Sequence, residues 1–177
     1  MRLSAEQRRR VLSHPAGWIA SGFGAGLAPV APGTVGSLVA LPLFVGMLLV
    51  HPLAPWIGIG VYFALGVWAA GRVIDVLRIE DPGVVVADEF VGQWLALAMV
   101  DLALRLWPDQ LASPSRLAVL VAGFLLFRLC DIAKPWPASW ADRTLTGGFG
   151  AMLDDVFAGV WAGVLAVAGL WGVSALQ

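Results

Sequence analysis

The sequence alternates long apolar blocks with short charged connectors. No Asp, Glu, Lys or Arg occurs between Val11 and Gly71, and none between Val156 and Leu176. A helix needs about 20 residues to cross the hydrocarbon core of a bilayer, so blocks of this length predict membrane-spanning helices. The approximate spans are 36–50, 54–71, 90–107, 117–130 and 156–176. The first is short unless it begins near Thr34 and carries Pro42 as a kink. Ahead of it, Gly22 to Ser37 has five glycines and two prolines, which predicts a structured loop or a re-entrant element. Residues 72–88 form a charged connector with a turn signal at Asp81-Pro82-Gly83, and 108–116 form a polar turn. Asp101 and Arg105 interrupt the third span, but they are four apart and can pair on one helix face. The expected fold is all-α: a polytopic membrane helical bundle, one domain over 1–177.

Composition strengthens this picture. A hydrophobic fraction of 59% lies above the globular range. Nine tryptophans against one tyrosine suit interfacial anchoring. The formal net charge of -1 argues against a nucleic-acid partner, which would require a basic surface, and no obligatory protein partner is evident. The single cysteine, Cys130, excludes an internal disulfide and a multi-cysteine zinc site, and reads as a small buried hydrophobe at a helix end. The start, MRLSAEQRRR, is basic, but no clean apolar core with a cleavage site follows, so it does not read as a signal peptide.

Charge placement sets the expected topology. Arg2, Arg8, Arg9 and Arg10 put the N-terminus in the cytoplasm by the positive-inside rule. Two crossings return the chain at Arg72 and Arg78, and two more at Arg128, Lys134 and Arg143. The glycine-rich segment near Gly33, the pair Asp88-Glu89 and the stretch Phe127 to Asp155 then gather on one, cytoplasmic, face. Only Arg105 and Arg116 lie near the other side.

Of 11 basic and 12 acidic residues, seven fall between Phe127 and Asp155, and Lys134 is the chain's only lysine. Solubility does not call for this density, so an ionic substrate is the simpler reason. Two acidic pairs share one setting: Asp88-Glu89 opens one apolar block (DEFVGQW) and Asp154-Asp155 opens another (DDVFAGVW). One such pair could merely complement a helix macrodipole. Two pairs on one face with Asp131 nearby favour a hard divalent cation, since adjacent carboxylates repel and magnesium takes carboxylate oxygens while leaving room for phosphate. Arg128, Asp131 and Lys134 recur at intervals of three, just before Pro135 ends the helix. They read as a surface ion-pair ladder, or as a metal ligand, Asp131, with two cations for a phosphate; Arg143 is a further candidate cation. In Ala31 to Ser37 the backbone N–H groups and the hydroxyls of Thr34 and Ser37 could bind an anion, or the hydroxyls could simply cap a helix.

Absences narrow the chemistry. His14 and His51 sit beside prolines, Cys130 has no arginine six positions on, and neither an Asp-x-Asp signature nor a Walker loop occurs. A metal-activated water is what remains for phosphate chemistry.

The blocks APGTVGS, VVVADEFVGQW, FRLCDIAKPWP and GGFGAMLDDVFAG, in this order, resemble the phosphatidylglycerophosphatase A family of bacterial inner-membrane enzymes. The resemblance covers about Gly22 to Gly163. It implies magnesium-dependent hydrolysis of the membrane lipid phosphatidylglycerophosphate to phosphatidylglycerol and phosphate at a cytoplasmic-face active site. The family's acidic positions fall on Asp88, Glu89, Asp131, Asp142, Asp154 and Asp155. Lys134 and Thr34 lie in its other shared blocks, and Cys130 stands where the family often has phenylalanine. On this reading Asp88, Glu89, Asp131, Asp154 and Asp155 hold Mg2+. Asp88, Glu89, Asp131, Lys134 and Asp142 serve catalysis, while Thr34, Ser37, Arg128, Lys134 and Arg143 bind substrate. A small cation transporter would instead place its ionisable residues mid-helix, and a lipid-headgroup transferase would carry its own diacidic signature.

Overall fold

The computed structural model describes residues 3–111 and 114–176; Arg2, counted above among the N-terminal basic residues, lies outside them. Among the described residues the chain is helical and contains no strand. Two short helices, α1 (Ala5–Leu12) and α2 (Pro15–Ala20), lead through a 3-10 turn at Ala25–Leu27 into α3 (Pro32–Val50). Then follow α4 (Ala54–Leu77), α5 (Ala87–Leu106), α6 (Arg116–Ala133), the short α7 (Ala138–Thr144) and α8 (Gly147–Ser174). Local chemistry sets several starts. Ser4 and Gln7 form a reciprocal capping box on α1, Ser115 accepts from the Ala118 N–H at 3.2 Å on α6, and Pro32 and Pro55 occupy first turns where no N–H is needed.

α5 is the hub. It packs against α8, α3, α4 and α6, and it is the most thoroughly buried of the long helices. Phe90, Trp94 and Leu97 of α5 meet Phe44, Tyr62 and Met152 in the main core. Two polar groups of this core are satisfied, the Trp94 indole donating to the Ala40 carbonyl and the Tyr62 hydroxyl to the Ile19 carbonyl, both at 2.8 Å, whereas the fully buried Gln93 amide has no hydrogen-bond partner. α5 and α8 cross almost backbone to backbone, because a Cβ on Gly159 would stand 2.5 Å from the Gly92 carbonyl oxygen. Small residues at such a crossing are how apolar helices gain contact where the hydrophobic effect between them is weak.

Among the described residues three helices are long and apolar enough to cross a membrane: α3 with 19 residues, α4 with 24 and α8 with 28. At a rise of about 1.5 Å per residue, even α3 is about 28 Å long, near the about 30 Å of the hydrocarbon core. The other two expected spans, 90–107 and 117–130, exist as helices but carry too many charges to qualify alone. Their charges are handled locally. In α5, Asp101 and Arg105 pair in two contacts of 2.7 and 3.1 Å, and four other helices surround the segment. In α6, Arg128 and Asp131 turn inward to each other, while Leu117, Val121, Leu125, Leu129 and Ile132 form an exposed apolar stripe along the outer face.

The structure moves several expected boundaries. The segment Gly22 to Ser37 is not a loop throughout, since α3 begins at Pro32 and runs through Pro42. Thr34 and Ser37 are therefore helical residues. α4 extends past Gly71 to Leu77 and takes Arg72 and Asp75 with it. α8 begins at Gly147 rather than 156, so Asp154 and Asp155 do not open the helix but sit in its third turn. Glycine reads as loop in a sequence, yet here it lets the first turn of α8 lie close against α4. Asp88 and Glu89 do occupy the first turn of α5.

Candidate active site

At one end of the bundle the C-terminal connector of α4, the starts of α3 and α5, the end of α6, and α7 with the first turns of α8 enclose a cavity of about 380 Å³. Its wall includes Asp88, Glu89, Asp131, Lys134, Asp142, Arg143, Asp154 and Asp155, residues drawn from four helices and one helix cap.

The floor is acidic. Asp88, Glu89 and Asp155 each offer an oxygen within 4.8 Å of the others. Helical packing explains this meeting, because the Gly92–Gly159 crossing places Asp155 one turn from the start of α5, and a Cβ on Gly92 would lie 2.5 Å from the Asp155 carbonyl. The Glu89 N–H donates to Asp88 Oδ1 at 3.0 Å. Burial raises Asp88 well above the ordinary carboxyl range, with the Glu89 charge adding to it. Burial likewise pushes Glu89 up to about 8, outweighing its hydrogen bond with Asp88. Glu89 Oε2 and Asp154 Oδ1 are buried without a hydrogen-bond partner. Converging hard oxygen donors, raised pKa values and orphaned carboxylate oxygens are what a site for a divalent cation would show. Carboxylate oxygens that converge this closely would suit a small hard cation such as magnesium.

Two cation clamps flank this floor. Arg128 Nη1 is 2.7 Å from Asp131 Oδ2 and 3.9 Å from Glu89 Oε1, and donates to Ser37 Oγ at 3.4 Å. Lys134 is not the partner of Asp131 that its position three residues on implies. It caps α6 in the left-handed conformation, φ 43° and ψ 59°, where glycine or asparagine is the usual choice. That turn carries the side chain away from Asp131 and between α7 and α8, where Nζ is 2.7 Å from Asp154 Oδ2 and bonded to Asp142. Burial alone would lower the Lys134 pKa; the hydrogen bonds to Asp142 and Asp154 outweigh it and hold the ammonium protonated above its ordinary value.

Thr34 and Ser37 stand beside the cavity rather than in its wall, which α3 enters through Pro32 and Gly33. Ser37 is fully buried, and its hydroxyl donates to the Gly33 carbonyl at 3.0 Å. Gly33 is the part of the APGTVGS block that touches the site: a Cβ there would be 2.0 Å from Glu89 Oε1. Glu80 and Asp81, on the connector after α4, also line the cavity. Sequence reasoning marked only the turn at Asp81-Pro82-Gly83 and passed over these acids, although a turn signal flanked by carboxylates between two spans was visible.

The model of the phosphatidylglycerophosphatase A family matches residues 18–170. Phosphatidylglycerophosphatase A of Escherichia coli K12 is 36% identical over 162 residues, 89% of this chain and 85% of its own. A Bacteroides thetaiotaomicron protein named "Putative phosphatidylinositol-3-phosphatase" is 35% identical over 158 residues, 86% of this chain and 92% of its own. Phosphatidylglycerophosphatase A of Haemophilus influenzae is 35% identical over 160 residues, 89% of this chain and 90% of its own. No solved structure matches the chain. With a family model spanning most of its length and relatives of this identity across both chains, the protein belongs to the phosphatidylglycerophosphatase A family.

Proposed function

We propose that this protein hydrolyses phosphatidylglycerophosphate to phosphatidylglycerol and inorganic phosphate, with magnesium, at the cytoplasmic face of a bacterial inner membrane. The observation that carries the reading is the convergence of Asp88, Glu89 and Asp155 oxygens within 4.8 Å, in one cavity with the Lys134 ammonium, at the end of an apolar helical bundle. The substrates in the relatives' names share one chemistry: a phosphomonoester on a headgroup alcohol that is itself tied to diacylglycerol through a phosphodiester. A polar cavity at the end of membrane-length helices suits such a lipid, whose reacting phosphate lies outside the hydrocarbon.

Asp88, Glu89 and Asp155 would hold the magnesium ion, with Asp131 and Asp154 beside them. Bound there, magnesium supplies Lewis-acid polarisation of the phosphoryl oxygens and charge neutralisation. The chain's own residues do the rest. In the reaction a water oxygen bonds to phosphorus, the bond from phosphorus to the glycerol oxygen breaks, and the departing alkoxide takes up a proton. Charge builds on the phosphoryl group in this step. Lys134 is placed to meet it, and Asp142 and Asp154 fix its Nζ in advance, so little reorganisation is needed when the charge develops. Arg128 holds Asp131 and Glu89 from behind, keeping the acidic floor in register. The basic residues Arg8, Arg9 and Arg10 and those near the cavity favour the cytoplasmic orientation.

The test is phosphate release from phosphatidylglycerophosphate in mixed micelles by the purified protein, with magnesium and with a chelator. Release that requires magnesium is expected. Release undiminished by the chelator would remove the metal from the reading, and no release under either condition would remove the substrate.

A further inference from the structure

Three cations stand in or beside the cavity, and two are committed. Arg128 is bound to Asp131 and Glu89, and Lys134 to Asp142 and Asp154. Arg143 also lines the cavity, is exposed, and forms no ion pair among the described residues despite Glu80 and Asp81 lining the same wall. Its placement is fixed by its neighbour. Asp142 is paired with Lys134, and the next residue of a helix points about 100° further round its axis, so Arg143 is carried away from Lys134 and, as an exposed residue of the cavity wall, stands on its solvent side, the rim.

This geometry matters for the lipid proposed above, on which the inference rests. Phosphatidylglycerophosphate carries two anions, the monoester that is cleaved and, three carbons away toward the membrane, a phosphodiester. If the monoester lies against the acidic floor and Lys134, the diester lies on the rim side. An uncommitted guanidinium is suited to it, because its fork of donors matches two phosphate oxygens at once. We propose that Arg143 clamps the substrate phosphodiester and thereby determines specificity. The enzyme selects lipids in which a diester precedes the monoester, and the alcohol between the two phosphates is read loosely.

The experiment uses the full chain in mixed micelles and the variants R143A and R143K. It measures kcat and KM for phosphatidylglycerophosphate, inhibition and direct binding by phosphatidylglycerol, which has the diester without the monoester, and inhibition by inorganic phosphate, which mimics the monoester alone. In R143A, KM and the phosphatidylglycerol constants rise together by about tenfold, the low end for a charge-assisted hydrogen bond at an exposed site. The inhibition constant of inorganic phosphate stays within about twofold and kcat changes less than KM, and R143K recovers part of the loss. A fall in kcat with unchanged phosphatidylglycerol binding, or a phosphate constant that rises in step with KM, would place Arg143 at the monoester and overturn the proposal. Equal phosphatidylglycerol binding by wild type and R143A would overturn it too. Failure of the phosphatase reading shows separately, as a wild-type protein that releases no phosphate.

Discussion

Adding one methyl group at Gly33 tests whether the acidic floor is built as described. An ideal Cβ at this position lies 2.0 Å from Glu89 Oε1 and 3.4 Å from Arg128 Nη1. Carbon and oxygen without a bond between them settle near 3.3 Å or more, roughly the distance of a weak C–H···O contact, so Gly33→Ala must push the Glu89 carboxylate by about 1 Å. Glu89 has little freedom to yield elsewhere, being mostly buried and facing Arg128 at 3.9 Å. A misplacement of about 1 Å in a reacting constellation costs on the order of 100-fold in rate, and turnover of Gly33→Ala should fall by that amount. Stability should not follow. Gly33 is helical, in the first turn of α3, where alanine is favoured over glycine by up to about 1 kcal/mol. The melting temperature should hold or rise slightly while activity and magnesium affinity drop. Phosphate release, isothermal titration with magnesium and a thermal melt in detergent read the three quantities. A Gly33→Ala protein with magnesium affinity and turnover within about twofold of wild type would show that Glu89 is not held against α3, and the metal floor would need a different third ligand.

Three further outcomes follow from the same geometry. Asp155→Asn removes a carboxylate from the acidic trio and should abolish turnover and the thermal stabilisation by magnesium, while the protein stays inserted; normal activity would exclude Asp155 as a ligand. Lys134→Ala should lower turnover by about two to three orders of magnitude, as for loss of one electrostatic stabiliser, with only partial rescue by arginine; full turnover with a lowered melting temperature would make the lysine a structural clamp for Asp154 alone. Without metal, stability should fall as pH rises, because Glu89 has a folded pKa of about 8 against an ordinary 4.5. The folded state then binds more protons than the unfolded one, so the contribution is complete below about pH 4.5 and lost through pH 8, at up to about 1.4 kcal/mol per pH unit for each such group. Melts in chelator at pH 5 and pH 8 check the sign, and a melting temperature that rises with pH would contradict it.

Much of this architecture is legible in the sequence because one-dimensional signals carry it. Membrane-length apolar blocks needed only their length, and the position of Asp88 and Glu89 at a helix start followed from the charged connector before them. What escaped depended on contacts between segments. The expected span 156–176 leaves out Gly147 to Gly150, since nothing in a single sequence shows that α4 lies against them, and so Asp154 and Asp155 read as a helix start where the structure has them in the third turn. Thr34 and Ser37 drew attention as hydroxyls, whereas the residue of their block that bears on the site is Gly33, through the side chain it lacks.

The pairing of Lys134 shows most clearly where spacing stops being informative. A regular helix through Arg128, Asp131 and Lys134 would align all three, and a ladder of alternating charge would neutralise itself and leave nothing for a substrate. The chain departs from that pattern at a single residue. Lys134 takes a left-handed backbone conformation that lysine rarely adopts, and Pro135 prevents the helix from continuing. The cost is local, of order 1–2 kcal/mol, and the result is two separate clamps in place of one ladder. Arg128 stays with Asp131 and faces Glu89, while Lys134 crosses to Asp142 and Asp154 in the wall of the same cavity. A glycine at this position would satisfy the helix cap better and leave Asp154, which is 8% exposed, without a cation. The backbone strain comes with a side chain that holds Asp142 and Asp154, and on the proposed function that contact is why the only lysine of the sequence sits where a helix would prefer none.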